Sequence, residues 1–345
     1  MRTPYSPIGH FSSFTVELRF RESGDRLRPV SGEGTGTGTT SGWAVRRPNR
    51  KAWALLLVGV LGVSLSAPLT ALLLAPALAL GFWRTALGAG FLLPGGALRR
   101  GAEFRALHPG LLGRCALSGA FLAGHFGTWI PSITLTSVSA ATALVCTTPI
   151  WTALAARIAG QRMPRIAWTG LFLAIAGTAV IAGVDVTVSS QAVLGDALAL
   201  AGGILAAGYV LIGARVREEI STTTYSICCY GVCAVLLGGV ALVAGVPLIG
   251  FELRDWLLIL AITVAAQLLG HTVFNLVVSD VGPTVVGLVL LLEVPGAALF
   301  ALILLGQYPP ALALPGLLLV VMGVALVVRA ADNGIEDSLP EQFTP

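Results

Sequence analysis

The chain has 345 residues, of which 55% are hydrophobic and 11% are charged, and its mean hydropathy is +0.86. Soluble domains carry about 25% charged residues, so this composition excludes an ordinary soluble protein and requires lipid around the apolar surface. The formal net charge of +4 does not indicate nucleic-acid binding, because the basic residues stand at the ends of apolar segments and not on one face.

The chain begins with a polar segment, residues 1–50. It contains the low-complexity run SGEGTGTGTTSG from Ser31 and lacks apolar residues for a core, which predicts a disordered cytoplasmic tail. No apolar segment with a cleavage site precedes the first span, so no signal peptide is expected.

Ten apolar segments follow, each about 18 to 24 residues long, the length that crosses a bilayer as an α-helix. Their Leu, Ala, Val and Gly residues do not alternate with polar ones, which favours helices over a membrane β-barrel. A short acidic tail, residues 329–345, ends the chain. The spans are predicted at 52–74, 76–96, 113–132, 136–156, 166–184, 193–214, 225–246, 256–278, 281–304 and 311–328.

The basic residues that flank the spans predict their orientation. Fourteen lie on one side of the membrane, and Arg254 alone lies on the other. Basic loops stay in the cytoplasm, so both termini are predicted to be cytoplasmic. The fourteen are Arg46, Arg47, Arg50, Lys51, Arg99, Arg100, Arg105, Arg114, Arg157, Arg162, Arg165, Arg215, Arg217 and Arg329.

An internal repeat relates the two halves of the chain at a constant offset of 146 residues. Fourteen of the 56 positions from Gly124 to Ala179 are identical to their mates. The matches that need a particular backbone or polar role carry the argument. They are Gly124-His125 with Gly270-His271, Pro149 with Pro295, Gly160-Gln161 with Gly306-Gln307, Pro164 with Pro310, Gly170 with Gly316, and Gly177 with Gly323.

The repeat unit contains five spans, an odd number, so the second copy must enter the membrane upside down. The predicted fold is therefore an all-α integral membrane protein of ten transmembrane helices in two inverted five-helix repeats, residues 51–184 and 193–328. Inverted halves of this kind can rock against each other and open a central site to each side in turn.

Four stretches resemble the drug/metabolite transporter superfamily, specifically its EamA-type ten-helix exporters. They are LALGFWRTALGAGFLLP around Arg84, SVSAATALVCTTPIWTALAARIAGQRMPRIAWTGLFLAIAGTAVI, GDALALAGGILAAGYVLIGARV and VGLVLLLEVPGAALFALILLGQYPPALALPGLLLVVMGVAL. The resemblance implies an inner-membrane exporter of amino acids, other metabolites or toxic compounds. The chain departs from the family pattern at Gln161 and Gln307, where an acid is common, and at Glu293, which Val294 separates from Pro295.

Ionisable groups inside a membrane are costly and are therefore candidates for function. Glu293 lies midway along the ninth span. Desolvation disfavours the charge of a carboxylate there, so Glu293 could take up and release a proton during transport or serve as a structural acid at a helix contact. Arg84 in the second span could clamp carbonyls or an acid of another helix, or attract an anionic group of the substrate.

A polar face is predicted on the eighth span, where Gln267, His271 and Asn275 recur at every fourth position. The equivalent face of the third span carries Phe121, His125 and Trp129. These residues could line a central cavity or pack as structural groups.

Trp151 and Tyr209 could add aromatic surface to that cavity or pack at helix contacts. No carboxylate or cysteine stands at ligand spacing beside the histidines, so neither a metal nor a cofactor is expected. The five cysteines are predicted as small core residues.

The favoured function is a secondary transporter, an exporter of small metabolites that works by alternating access, with or without proton coupling through Glu293. The predicted partners are a small-molecule substrate, the lipid bilayer and protons, and a homodimer is left open. A non-transporting scaffold or receptor subunit is the alternative. An enzyme is not expected, because the chain contains no HExxH or GxSxG motif and no paired catalytic carboxylates.

Overall fold

The computed structural model describes residues 49–160, 165–183, 189–308, 311 and 313–336. The predicted N-terminal tail, Gln161, Arg162, Pro164 and Pro310 lie outside these residues. The described residues form helices joined by turns and loops, and they contain no strand. Its helices are α1 Arg50–Ser64, α2 Ser66–Ala71, α3 Ala77–Arg105, α4 Pro109–Leu135, α5 Val138–Val145, α6 Thr148–Ile158, α7 Arg165–Gly183, α8 Ser190–Val216, α9 Thr222–Val243, α10 Leu253–Ile262, the π-helix Thr263–Thr272, α11 Val273–Val281, α12 Pro283–Leu290, α13 Glu293–Leu305 and α14 Ala313–Glu336.

Short polar residues and glycines set the helix ends. The side chains of Asn49, Ser137, Ser189 and Ser221 each accept a hydrogen bond from a backbone N–H in the first turn of the helix that follows. Gly306 ends α13 in the left-handed conformation with φ of +65°, which glycine adopts without a Cβ penalty.

Three helices are interrupted close to a proline. α1, α5 and α12 end at Ser64, Val145 and Leu290, four or five residues before Pro68, Pro149 and Pro295. A proline lacks the N–H that would bond to the carbonyl four residues earlier, and its ring clashes with that carbonyl. The interruptions before Pro149 and Pro295 fall at nearly equivalent places in the two repeats.

Seven helical segments are long and apolar enough to cross a membrane, within the described residues. Shorter apolar stretches lie in α7 and α14, over Arg165–Ile181 and Leu314–Gly323. α4 is absent from both groups, although it has 27 residues. The seven are Arg50–Ala71, Ala77–Arg105, Val138–Ile158, Ser190–Val216, Thr222–Val243, Leu253–Val281 and Val285–Leu305.

α7 and α14 pack against each other through glycines that the repeat relates. A Cβ added at Gly177 would lie 2.5 Å from the carbonyl oxygen of Gly316, and a Cβ at Gly323 would lie 2.5 Å from that of Gly170. Only glycine permits so close a backbone approach. Since the earlier residue of α7 meets the later residue of α14, the two helices run antiparallel.

The other helices surround the centre of the bundle. α4 packs along α8, and α1 packs along the π-helix and α11. α5 contacts α13, and α6 contacts α12, so the interrupted helices of the two repeats also meet. These contacts leave a cavity between elements of both repeats.

Candidate functional site

The cavity has a volume of about 60 Å³ and lies next to the helix interruptions. Its mouth and walls come from α1, α2, α4, α5, α6, α8, the π-helix, α11, α12 and α13. Six of the predicted site residues line it, namely His125, Trp129, Tyr209, His271, Asn275 and Glu293. Arg84, Trp151 and Gln267 do not.

The two histidines that the repeat relates meet in this cavity. The ring centroids of His125 and His271 are 6.2 Å apart, at an interplanar angle of 65°. Equivalent residues of two repeats can touch only near the axis that relates the repeats. The cavity therefore lies where the two repeats meet.

The His125 ring is held in place. Its Nδ1 lies 3.0 Å from the carbonyl oxygen of Gly202 on α8, and its ring stacks on Trp129 at 5.8 Å with an interplanar angle of 5°. A hydrogen bond to a carbonyl requires the proton on Nδ1, which leaves Nε2 as an acceptor when the ring is neutral.

His271 has a different environment. It lies in the π-helix, and the rings of Phe126 and Tyr209 approach it edge-on at 5.4 and 5.9 Å. Neither ring nitrogen has a hydrogen-bond partner among the described residues. Its nitrogens are therefore available to a molecule in the cavity.

The eighth span contains the π-helix Thr263–Thr272 and continues as α11. His271 and Asn275 line the cavity, whereas Gln267 is fully buried and accepts a hydrogen bond from Arg84 on α3. Of the three residues predicted to share a polar face, His271 and Asn275 therefore reach the cavity and Gln267 contacts its wall from behind.

A polar network closes one wall of the cavity. Tyr209 donates a hydrogen bond of 2.9 Å to Oδ1 of Asn275, whose amide nitrogen lies 3.5 Å from Ser226 Oγ and 3.4 Å from Tyr230 Oη. Tyr230 Oη and Thr272 Oγ1 are 3.0 Å apart. The network joins α8, α9 and α11, so it fixes the orientation of both Tyr209 and Asn275.

Glu293 is the first residue of α13, and its side chain reaches the cavity although only 8% of the residue is exposed. Its Oε2 accepts a weak hydrogen bond of 3.7 Å from Cys146 Sγ. No described basic side chain lies within 4.0 Å of the carboxylate. Its position at a helix N-terminus favours a negative charge.

Arg84 is fully buried behind the cavity wall. Its Nε donates to Gln267 Oε1 at 3.1 Å, its Nη1 lies 3.3 Å from Ser66 Oγ, and its guanidinium carbon lies 4.1 Å from the centre of the Phe126 ring. Nη2 has no partner in the described part of the chain. Arg84 thus links α3 to α2, α4 and the π-helix.

Trp151 packs away from the cavity. Its Nε1 donates a hydrogen bond of 3.2 Å to the Oγ1 atom of Thr147, the N-cap residue of the same helix, α6.

Sequence reasoning missed several residues of the site. Cys146 contacts Glu293 and also the free carbonyl oxygen of Leu290 at 3.6 Å, although the cysteines were predicted only as core residues. Ser66, Thr148 and Phe274 line the cavity. Ser66 stands two residues before Pro68, and Cys146 stands three residues before Pro149. Their position next to helix-breaking prolines is the sequence signal that could have identified them as cavity residues.

The histidines, cysteines and acids do not form a group of three that could hold a metal ion, among the described residues. The cavity chemistry consists of hydrogen-bonding groups, aromatic rings and one carboxylate.

Comparison with known proteins identifies the family. The sequence profile of the EamA-like transporter family matches residues 50–183 and 193–329. No curated protein matches the chain significantly. One solved structure, described only as a crystal structure of a protein, aligns with a TM-score of 0.63 and 17% identity, over 82% of this chain and 98% of the other.

At that identity the structural likeness concerns the fold alone. The family match covers most of the chain in two successive copies, and it confirms the resemblance predicted from the sequence. The chain belongs to the EamA-like transporter family of the drug/metabolite transporter superfamily, and it is a multi-pass membrane transporter with a two-repeat architecture.

Proposed function

We propose that the chain is a secondary transporter that works by alternating access through the central cavity. Its proposed role is the export of small metabolites, either amino acids and related compounds or toxic compounds. The observation that carries this proposal is the contact between His125 and His271. The cavity lies where the two repeats meet, so a movement of one repeat against the other changes access to it.

The proposed membrane topology has ten spans. α4 is the span that hydropathy misses, because it carries Ser118, His125 and Ser132, which lower its mean hydropathy. All three are buried against neighbouring helices, so they do not face lipid. α7 and α14, with their shorter apolar stretches, are the fifth and tenth spans.

The antiparallel packing of α7 and α14 supports inverted repeats. The last span of each repeat meets its mate, and Gly170 and Gly177 contact the mates of each other. A two-fold axis in the membrane plane produces this reciprocal pattern. The excess of basic residues in the loops of one side supports cytoplasmic termini, and the proposed location is the plasma membrane.

The helix interruptions supply the movable parts. α5–α6 and α12–α13 are interrupted beside the cavity, and each lacks a continuous backbone ladder there. Bending at these places opens one end of the cavity while the other stays closed. Pro149 and Pro295 give the two repeats equivalent hinges.

Glu293 is the proposed proton carrier. A carboxylate in this position alternates between a protonated form and a charged form as the cavity faces each side. The substrate contacts are assigned to His125, Trp129, Tyr209, His271 and Asn275, which line the cavity. Arg84 and Gln267 are assigned to the wall behind the cavity. Trp151 contacts the substrate only after a movement of α6.

A metabolite comparison tests the transport function. Cells that contain the chain are compared with cells that lack it, and metabolites are measured in the medium and in the cytoplasm. An exporter lowers the internal concentration of its substrate and raises the external one. Unchanged profiles at equal growth and equal amounts of protein would support the scaffold or receptor alternative.

Proteoliposome flux tests the role of Glu293. The substrate identified by the metabolite comparison is loaded into proteoliposomes, and its flux is measured with and without a pH gradient. We expect Glu293→Gln to abolish the response to the gradient, because the amide cannot exchange a proton. Glu219→Gln is the matched control, since Glu219 forms a surface ion pair with Arg114 at 2.6 Å, outside the cavity. Wild-type gradient dependence in Glu293→Gln would remove the proton role.

A further inference from the structure

We propose that the cavity recognises a small protonated amine, with Glu293 as its charge partner, and that it does not require a carboxylate on the ligand. This inference rests on the proposed transport function and narrows its substrate class. It follows from which charged and aromatic groups reach the cavity surface and which do not.

The carboxylate of Glu293 reaches the cavity without a direct ion pair among the described residues, and the charge of the buried Arg84 acts on it only from a longer distance. Within the described part of the chain, Cys146 supplies its one hydrogen bond, and a thiol is a weak donor. A buried carboxylate without a direct ion pair is costly, and an ammonium group beside it offsets that cost. The cavity therefore offers an organic cation both a charge and up to three acceptor directions.

The nearby guanidinium does not compete for a ligand in this conformation. Arg84 is engaged through Nε, Nη1 and the face of its planar group. Its remaining nitrogen, Nη2, has no accessible surface. A ligand carboxylate in the cavity would thus meet Glu293 and find no exposed cation among the described lining residues.

Aromatic rings form much of the remaining wall. Trp129, Tyr209 and Phe274 line the cavity together with the two imidazoles. Ring faces attract cations within about 6 Å of their centres. The unpaired indole nitrogen of Trp129 is itself buried, so the ligand meets the ring and not the donor.

The cavity volume of about 60 Å³ is several times the roughly 10 to 15 Å³ that one water molecule needs by the same measure, so a small ligand suits this conformation. Apolar lining groups such as Val63, Val278 and Leu290 suit a short branched alkyl body.

A matched series of ligands tests the inference. Isobutylamine carries only the amine, valine carries the amine and a carboxylate, and 3-methylbutanoate carries only the carboxylate on the same branched body. Radiolabelled isobutylamine is equilibrated with the full chain in lipid nanodiscs at neutral pH, and the other two compounds compete. We expect saturable binding of isobutylamine, weaker competition by valine and none by 3-methylbutanoate.

Three variants assign the binding to the cavity. Glu293→Gln should weaken isobutylamine binding by at least about tenfold, because it removes the charge partner. Glu293→Asp keeps the charge and should retain part of the affinity, which separates loss of charge from loss of folding. Glu219→Gln should bind as the wild type does.

The inference is overturned if isobutylamine shows no saturable binding, if valine binds more tightly than isobutylamine, or if Glu293→Gln binds it unchanged. Valine binding would indicate that Arg84 reads a carboxylate after a rearrangement. Amine binding without any flux would contradict the transport function and leave the amine site standing. Flux of another metabolite without amine binding would contradict the amine site and leave the transport function standing.

Discussion

The α7–α14 contact and the central cavity both bring together residues that the repeat relates, but they use the repeat differently. At the contact, matching glycines make matching backbone approaches, with Cβ-to-oxygen distances of 2.5 Å in each direction. At the cavity, only the two histidines match. Their neighbours differ: Trp129 is the mate of Asn275, Phe121 of Gln267, and Thr147 of Glu293.

This difference distinguishes the residues that pack the helices together from the residues that could contact a ligand. The repeat conserves the small residues that let helices approach and the prolines that interrupt them. The second repeat supplies Glu293, Asn275, Tyr209 and Phe274 to the cavity, and the first supplies Trp129. The helix contacts are thus similar in the two repeats, whereas the groups that each repeat presents to the cavity differ.

The largest effect on stability is expected where the first repeat supplies aromatic surface. Trp129 is 3% exposed and stacks on His125, so Trp129→Ala leaves a large hole beside the cavity. We expect a loss of about 3 kcal/mol in the free energy of unfolding. Thermal or denaturant unfolding of the purified protein in detergent measures it.

The mate of Trp129 provides the comparison. Asn275→Ala removes the hydrogen bond to Tyr209 and little volume, and it should cost about 1 kcal/mol. An equal or larger cost for Asn275→Ala would mean that the polar network, and not the aromatic wall, supports this part of the bundle.

A smaller effect is expected at the symmetric contact. Gly177→Ala places a methyl group 2.5 Å from the carbonyl oxygen of Gly316 and 2.8 Å from the nitrogen of Val320. The helices must separate, at a cost of about 2 kcal/mol. The midpoint of thermal unfolding and the yield of folded protein should both fall.

Gly239→Ala is the matched control, because a Cβ at Gly239 in α9 meets no atom within 4 Å. It should be neutral or slightly stabilising, since alanine favours helix over glycine. Equal destabilisation by both changes would show that the α7–α14 approach is not tight.

The smallest effect should distinguish the two histidines. His125→Ala breaks the contact with Gly202 and the stack on Trp129, so it should lower stability by about 1 kcal/mol more than His271→Ala. His271→Ala should instead weaken transport at near wild-type stability. The pair of unfolding curves, measured with the flux of each variant, checks this; the reverse order of stabilities would contradict the assigned roles.

The sequence predicted apolar helices because segment length and hydropathy depend on local pattern. The span predicted at 113–132 lies within α4, and Pro149 and Pro295, which the offset of 146 relates, stand beside two of the observed interruptions. As a helix, α14 continues past the predicted span end at residue 328 to Glu336.

The site was harder to predict from the sequence where an irregular backbone determines which side chains face the cavity. A π-helix has no simple sequence signature, and a spacing of four residues does not reveal that Gln267 contacts Arg84 on α3 while His271 and Asn275 line the cavity. The contact between Cys146 and Glu293 joins residues 147 positions apart. It depends on how two interrupted helices meet, and residue spacing does not report that.

Labelling of single cysteines tests the inverted repeat most directly. Ala159→Cys and Gln307→Cys stand beside Gly160 and Gly306, which are mates in the repeat and both have positive φ, +85° and +65°. A membrane-impermeant thiol reagent is applied to intact cells and to lysed cells, with the five native cysteines replaced. The account predicts that intact cells label Gln307→Cys and leave Ala159→Cys unlabelled, whereas lysed cells label both. Labelling of both, or of neither, in intact cells would place the two loops on one side and contradict the inverted arrangement.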